Sequence, residues 1–226
     1  MKILALVLYN ESGCYEEFGK QWLRLVGKVP NVEFYLYKAN PNIKEEYEIS
    51  GNIITVRTGE DYRQLLGKFI LTLKAFEPRF GEFDFIWRGS CSSIMHWEKY
   101  MAYLEALPRT MVLEGVHIHS YGYCYCSGAG FAVTPDFARI IIANPQDDYH
   151  ADDLTVGKIG KENNVNLVKR PREFTLVRDN NWELLLENLN GSDPLEFHYR
   201  FRTDSRVNDV ERYIMFMNKY IDNIGR

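Results

Sequence analysis

Through its first half the chain alternates short apolar runs with amphipathic stretches, and that order leaves few folds open. Ile3 to Tyr9 is an apolar run, and Glu16 to Val26 carries Phe18, Trp22, Leu25 and Val26 at helical spacing. Val32 to Tyr37 and Ile53 to Val56 read as two further strands. Asp61 to Phe76 places Leu65, Leu66, Phe69, Leu73 and Phe76 on one stripe. Phe83 to Trp87 is a short buried strand that runs into Arg88-Gly-Ser-Cys-Ser-Ser93. Strands and helices in that alternation build a parallel or mixed sheet covered on both faces. The expectation is an α/β fold in one domain, with a mixed, mostly parallel sheet and helices on both sides. Ligands of such sheets sit outside the carboxyl ends of the strands, which puts Tyr9 to Gly13, Thr58 and Arg88 to Ser93 at one rim.

With 226 residues, 46% of them hydrophobic, the chain can bury a substantial core. A formal charge of −4 argues against a general nucleic-acid binder, which carries a basic face. No apolar run approaches the roughly 18 residues of a membrane span. Met1 to Leu8 is basic then apolar, as in a signal peptide. It leads directly into Tyr9-Asn-Glu-Ser-Gly13 without a small-residue cleavage site, so a buried first strand and a cytoplasmic location are expected. The four cysteines, at 14, 91, 124 and 126, show no disulfide spacing and read as reduced thiols. An alternative use exists for two of them. If two strands face each other, His117, His119, Cys124 and Cys126 offer the ligand types of a zinc site, although their x-1 spacing is unlike a zinc knuckle.

The second half holds the densest chemistry. Cys126 to Thr134 reads as a small-residue turn feeding a strand, and in it Gly128 and Gly130 permit close backbone approach or positive φ. A short apolar helix around Phe137 to Ile142 follows, then Ala151-Asp-Asp-Leu-Thr-Val-Gly157. Asp152 and Asp153 stand where a helix begins, a position that also suits plain capping. Near the end, His198-Tyr-Arg200-Phe-Arg202 on a strand would point His198, Arg200 and Arg202 to one side, as an anion clamp or as a charged strand edge. A last helix spans Val207 to Ile224.

The order of these parts resembles inverting sugar-nucleotide glycosyltransferases of the fringe and β-1,3-galactosyltransferase type. Those enzymes carry a Ser-Gly-Gly-Gly/Ala-aromatic segment followed by Glu/Asp-Asp-Val/Met-x-x-Gly. The matching residues here are Ser127-Gly128-Ala129-Gly130-Phe131 and Asp152-Asp153-Leu-Thr-Val-Gly157. Glu60-Asp-Tyr-Arg-Gln-Leu-Leu-Gly-Lys68 is similar to the family's Asp-x-Tyr-x-Asn-Leu-Thr-x-Lys helix, which places Lys68 near the donor. One landmark departs. Where the family has Lys-x-Asp-Asp-Asp to hold a divalent metal, this chain has Arg88-Gly-Ser90-Cys91-Ser92. Smaller viral and bacterial glycosyltransferases carry a similar Arg-x-x-x-Ser-Ser segment.

The resemblance implies a nucleotide-diphospho-sugar transferase (GT-A-like) fold, with residues 1–93 binding the nucleotide sugar and 94–226 holding acceptor and catalytic groups. It implies a nucleotide-sugar donor, expected to be a UDP-sugar, and a glycan or glycoprotein acceptor. Asp153 falls at the family's general-base position, with Asp152 beside it. Donor contacts are expected from Tyr9, Asn10, Glu11, Lys68, Arg88, Ser90, Ser92, His198, Arg200 and Arg202, and acceptor contacts from Ser127, Gly128, Ala129 and Gly130. Tyr15 is a further stacking candidate for the nucleotide base. A manganese or magnesium ion is left open, since serine and neutral cysteine suit hard cations poorly. The alternative to an enzyme is a non-catalytic carbohydrate- or nucleotide-sugar-binding protein derived from one.

Overall fold

A computed structural model describes residues 1–144, 151–171, 175–177, 193–203 and 205–224. The first half runs β1 (Ile3–Leu8), α1 (Cys14–Leu23), β2 (Val32–Ala39), β3 (Tyr47–Ser50), β4 (Ile53–Val56), α2 (Leu65–Phe76) and β5 (Phe85–Ser90). The second half continues with β6 (Ser93–Met95), α3 (Trp97–Glu105), β7 (Val112–Ser120), β8 (Tyr123–Val133), α4 (Pro135–Ala143) and α5 (Asp152–Glu162). It ends with β9 (Asn166–Lys169), β10 (Thr175–Val177), β11 (His198–Phe201) and α6 (Arg206–Asn223).

Eight strands form the main sheet in the order β3-β4-β2-β1-β5-β8-β7-β9. Within it β4, β2, β1 and β5 are mutually parallel, β7 is parallel to β9, and β3, and β8 against both its neighbours, run antiparallel. The expected α/β fold is therefore present, with a mixed, mostly parallel sheet. β1 alternates between two cores. Ile3, Ala5 and Val7 join one with α1, α3 and α6, while Leu4 and Leu6 join the other with α2, α4 and α5. Helices thus cover both faces. Trp22, Trp87 and Trp97 pack together in the first core, with Trp87 and Trp97 ring centroids 5.3 Å apart. Trp97 is thereby a core residue.

Two local details differ from the sequence expectation. Asp61 to Gln64 is not α-helical: Asp61 accepts from the Arg63 N–H at 2.8 Å and caps a 3-10 turn over Tyr62–Gln64 that leads into α2. The Ser127 to Gly130 segment is not a turn. It is the middle of β8, with Gly130 opposite Gly89 of β5, and neither Gly128 nor Gly130 has positive φ. The true turn lies earlier, at Tyr121-Gly122, where φ is 52° and 75°. Both values are positive, as the two-residue type I′ hairpin joining β7 to β8 requires. Among the described residues no helix is long and apolar enough to cross a membrane.

The site is placed by topology. From β1 the chain moves to β2 on one side and later returns to β5 on the other, opening a crevice at the carboxyl ends of β1 and β5. A small sheet, β10-β11-β6, flanks that crevice, with Arg200 of β11 opposite Ser93 of β6. From the far side, Gly157 lets α5 lie directly against Tyr125 of β8, since a Cβ there would fall 2.3 Å from the tyrosine Cβ.

Candidate active site

The crevice is a cleft of about 590 Å³. Tyr9 and Asn10 enter it from the end of β1, Arg88, Ser90 and Ser92 from the end of β5, and Ser127, Gly128 and Ala129 from β8. Asp152 and Asp153 come from the first turn of α5, Lys68 from α2, and Arg200 and Arg202 from β11 and its continuation.

Gly128 joins the acidic and basic groups. Its N–H donates to Asp153 Oδ2 at 2.7 Å, and its carbonyl accepts from Arg88 Nη1. A Cβ at this position would lie 3.0 Å from Arg88 Nη1 and 3.1 Å from Asp153 Oδ2, so glycine is what fits between them. Asp153 Oδ1 also accepts from the Leu154 N–H at 2.8 Å. Burial, and then the neighbouring Asp152, push the Asp153 carboxyl above its usual range, partly opposed by those backbone N–H groups and by Arg88. Asp152 has a different partner. Its Oδ2 is 2.6 Å from Arg88 Nη2, with both side chains under 5% exposed. For Arg88, burial would lower the pKa, but Asp152 and the other anionic neighbours outweigh it and hold the guanidinium charged. Two adjacent aspartates thus do different things: one neutralises a buried cation, the other faces the cleft.

Across the cleft stands a cationic wall. Burial, followed by the proximity of Arg202, Arg206 and Arg88, pulls Arg200 down to about 10. Like charges crowded in this way favour an anionic ligand between them. Arg206, in the first turn of α6, also lines the cleft. It donates to Asp209 Oδ2 and to the Phe201 carbonyl, and its guanidinium lies 5.7 Å over the Tyr15 ring. Sequence reasoning passed over Arg206. A signal was present in its position four residues after Arg202, although none of the sequence motifs includes it.

Other candidates have more structural roles. Lys68 is buried and paired with Glu60 at 2.5 Å. The Tyr9 ring packs against Gly19 of α1 within the core. Asn10 Oδ1 accepts from the Ser12 N–H and Oγ, which makes the segment a side-chain-closed turn. Ser90 and Ser92 hydroxyls face each other at 3.2 Å. Three expected site residues do not line the cleft. Glu11 is exposed and paired with Lys38 at 2.6 Å. Gly130 lies beneath Trp87 and His198, where a Cβ would meet both rings. His198 is buried, with Nδ1 2.5 Å from Arg170 Nη1, in a network where Arg170 pairs with Glu114 at 2.8 Å and Tyr100 donates to the same carboxylate. Burial, then Arg170 and Arg200, hold the His198 pKa well below its ordinary value, so the ring is neutral and adds no charge to the clamp.

The donor set at the end of β5 does not fit a divalent metal. Arg88 is already cationic, Ser90 and Ser92 are neutral, and burial pushes the Cys91 thiol up to about 12. The histidine and cysteine pairs of the hairpin do lie opposite each other, His117 to Cys126 and His119 to Cys124. They occupy successive same-face rungs about 7 Å apart, and only His119 Nε2 and Cys124 Sγ approach, at 3.7 Å. No group of three or more His, Cys, Asp or Glu able to hold a metal occurs among the described residues. All four cysteines are free thiols.

No protein-family model matches the chain, and no curated protein does. Among solved structures the fold is similar to one described as the crystal structure of a glycosyltransferase involved in the glycosylation of the major capsid of PBCV-1. The two superpose with a TM-score of 0.61 over 95% of this chain and 100% of the other, at 11% sequence identity, a likeness of fold.

Proposed function

We propose that this protein is an inverting glycosyltransferase that moves a sugar from a nucleoside-diphosphate donor, with UDP the expected nucleotide, to a glycan or glycoprotein hydroxyl. Asp153 is the general base. It takes the acceptor proton as that oxygen bonds to the anomeric carbon and the bond from that carbon to the diphosphate breaks. Arg200, Arg202 and Arg206 receive the departing diphosphate, so fixed guanidinium charge stands where related enzymes use a metal. The observation that carries the reading is the fixing of Asp153 by the Gly128 and Leu154 N–H groups, at the cleft and opposite three arginines. The fold likeness to a glycosyltransferase supports it.

The test is Asp153→Asn, assayed against a panel of UDP-, GDP- and dTDP-sugars with glycan and glycoprotein acceptors. Turnover should fall about a hundredfold or more while nucleotide-diphosphate binding, measured by calorimetry, persists. Near-normal turnover in the variant would remove Asp153 from the role.

A further inference from the structure

Asp209 is a fully buried carboxylate for which the transfer chemistry above has no use. It stands near the start of α6, four residues after the helix N-cap, Ser205. A carboxylate there ordinarily serves the helix itself, as a cap or as a partner of its dipole. Capping is already supplied, because Ser205 Oγ accepts from the Asn208 N–H at 3.4 Å. Asp209 turns instead toward Thr203, before the helix, and Arg206, its first residue. Both carboxylate oxygens accept from the Thr203 N–H, at 2.9 and 3.2 Å, and Oδ1 also accepts from Thr203 Oγ1 at 2.7 Å. Oδ2 then accepts from Arg206 Nη1 at 3.0 Å.

Arg206 is thereby held from within. Its Nη1 also donates to the Phe201 carbonyl at the end of β11, at 3.1 Å, and its Nη2 donates to the Tyr15 hydroxyl at 3.4 Å. The side chain is still 35% exposed and lines the cleft. A long side chain that rotates freely loses that freedom when it grips a ligand, whereas one held beforehand has already lost it on folding. The arrangement has an electrostatic drawback. A carboxylate behind the guanidinium offsets its charge, so Asp209 reduces the pull of the arginine wall on an anion. Charge and geometry therefore act in opposite directions at this residue.

Resting on the reading of the arginines as the diphosphate site, we propose that Asp209 is a positioning residue for the donor. Oriented by Thr203, it holds Arg206 in the pose that meets the diphosphate, and what it adds in geometry exceeds what it removes in charge. Asp209 has no exposed surface and touches no ligand itself.

Calorimetric titration of UDP and of inorganic pyrophosphate into the full chain tests this. The variants are Asp209→Asn, Thr203→Val, Arg206→Gln and the Asp209→Asn/Arg206→Gln double change, with urea unfolding to report that each is folded. Asp209→Asn removes a negative charge from behind the wall, so a role in capping or charge alone predicts unchanged or tighter anion binding. Positioning predicts the opposite sign, with both anions bound about fivefold or more weakly. Thr203→Val alters no charge and should weaken them about threefold or more. Once Arg206 is glutamine, Asp209→Asn should weaken binding by less than about twofold further, because its partner is gone. Unchanged or tighter binding in folded Asp209→Asn would overturn the proposal, and so would an equal loss with Arg206 already replaced. If Asp209→Asn does not fold, Thr203→Val decides alone, and wild-type affinity in that variant overturns the proposal. Suppose pyrophosphate follows this pattern while UDP, GDP and dTDP bind the wild type no more tightly than pyrophosphate does. The nucleotide-sugar reading then fails and the positioning role stands. Binding of neither anion to the wild type would overturn both.

Discussion

Arg88 Nη2 lies 2.6 Å from Asp152 Oδ2, with both side chains sealed from solvent. Removing one partner of such a pair leaves a buried charge with less to compensate it, at a typical cost of about 3–5 kcal/mol. Asp152→Asn should therefore destabilise the protein by an amount in that range. Replacing both residues with apolar ones of similar volume should cost less than the sum of the single changes. Urea unfolding of the two single variants and the double variant measures this. Additive losses would mean that the pair does not act as a unit.

Gly128 is held between Arg88 and Asp153, and a methyl group there would meet both at about 3 Å. Forcing a methylene-sized group into a well-packed site costs about 1–3 kcal/mol. Gly128→Ala should show a modest loss of stability and a larger loss of turnover, because the displaced neighbours include the proposed base. Unchanged kcat with lowered stability would show that the position of Asp153 does not depend on this contact.

The fold was readable where periodicity was strong. β1, β2, β4 and α2 appear near their expected bounds because their apolar spacing is set by burial on both faces of one sheet. The start of α5 at Asp152 was readable from its paired acidic residues. Pairing across long sequence distance was not. Nothing local announces that Asp152 meets Arg88, 64 positions earlier, or that His198 faces Arg170 rather than the cleft. Alternation put Arg200 and Arg202 on one side of the chain, and both line the cleft. It could not say that His198, on the same strand, lies one step deeper in a buried network built around Glu114. Gly128 and Gly130 were conspicuous, yet their reason is contact with side chains from other elements, not backbone conformation.

The raised pKa of Asp153 fixes a direction for pH dependence. A base must be ionised, so kcat/KM should fall as pH drops through its pKa, and the acid limb should lie above the ordinary carboxylate range. Burial is the main cause and the Asp152 carboxylate the second. Asp152→Asn removes that like charge while Arg88 stays cationic beside Asp153. The loss of that charge lowers the Asp153 pKa, so the acid limb should shift to lower pH in this variant. A pH profile of kcat/KM measures it, and a shift to higher pH, or an acid limb unaltered in Asp153→Asn, would contradict the assignment.

Arg200 and Arg202 carry the sharpest expectation about the donor. Ser90, Cys91 and Ser92 stand where the enzymes this sequence resembles carry a carboxylate cluster, and two neutral hydroxyls with a soft sulfur suit a hard divalent cation poorly. In the proposed reading the charge that a diphosphate needs comes from the opposite wall, where Arg200, Arg202 and Arg206 crowd together. A guanidinium grips phosphate oxygens through two parallel N–H donors, and charge-assisted bonds of this kind contribute about 1.5–3 kcal/mol each. Arg200→Ala or Arg202→Ala should weaken nucleoside-diphosphate binding by that amount, roughly ten- to a hundredfold. If the arginines alone hold the diphosphate, as proposed, EDTA should leave wild-type binding largely intact. Calorimetric titration of UDP with EDTA, with manganese and with each variant decides the matter. If chelation abolishes binding and manganese restores it, while both arginine variants bind as the wild type does, the cationic wall is not the diphosphate site.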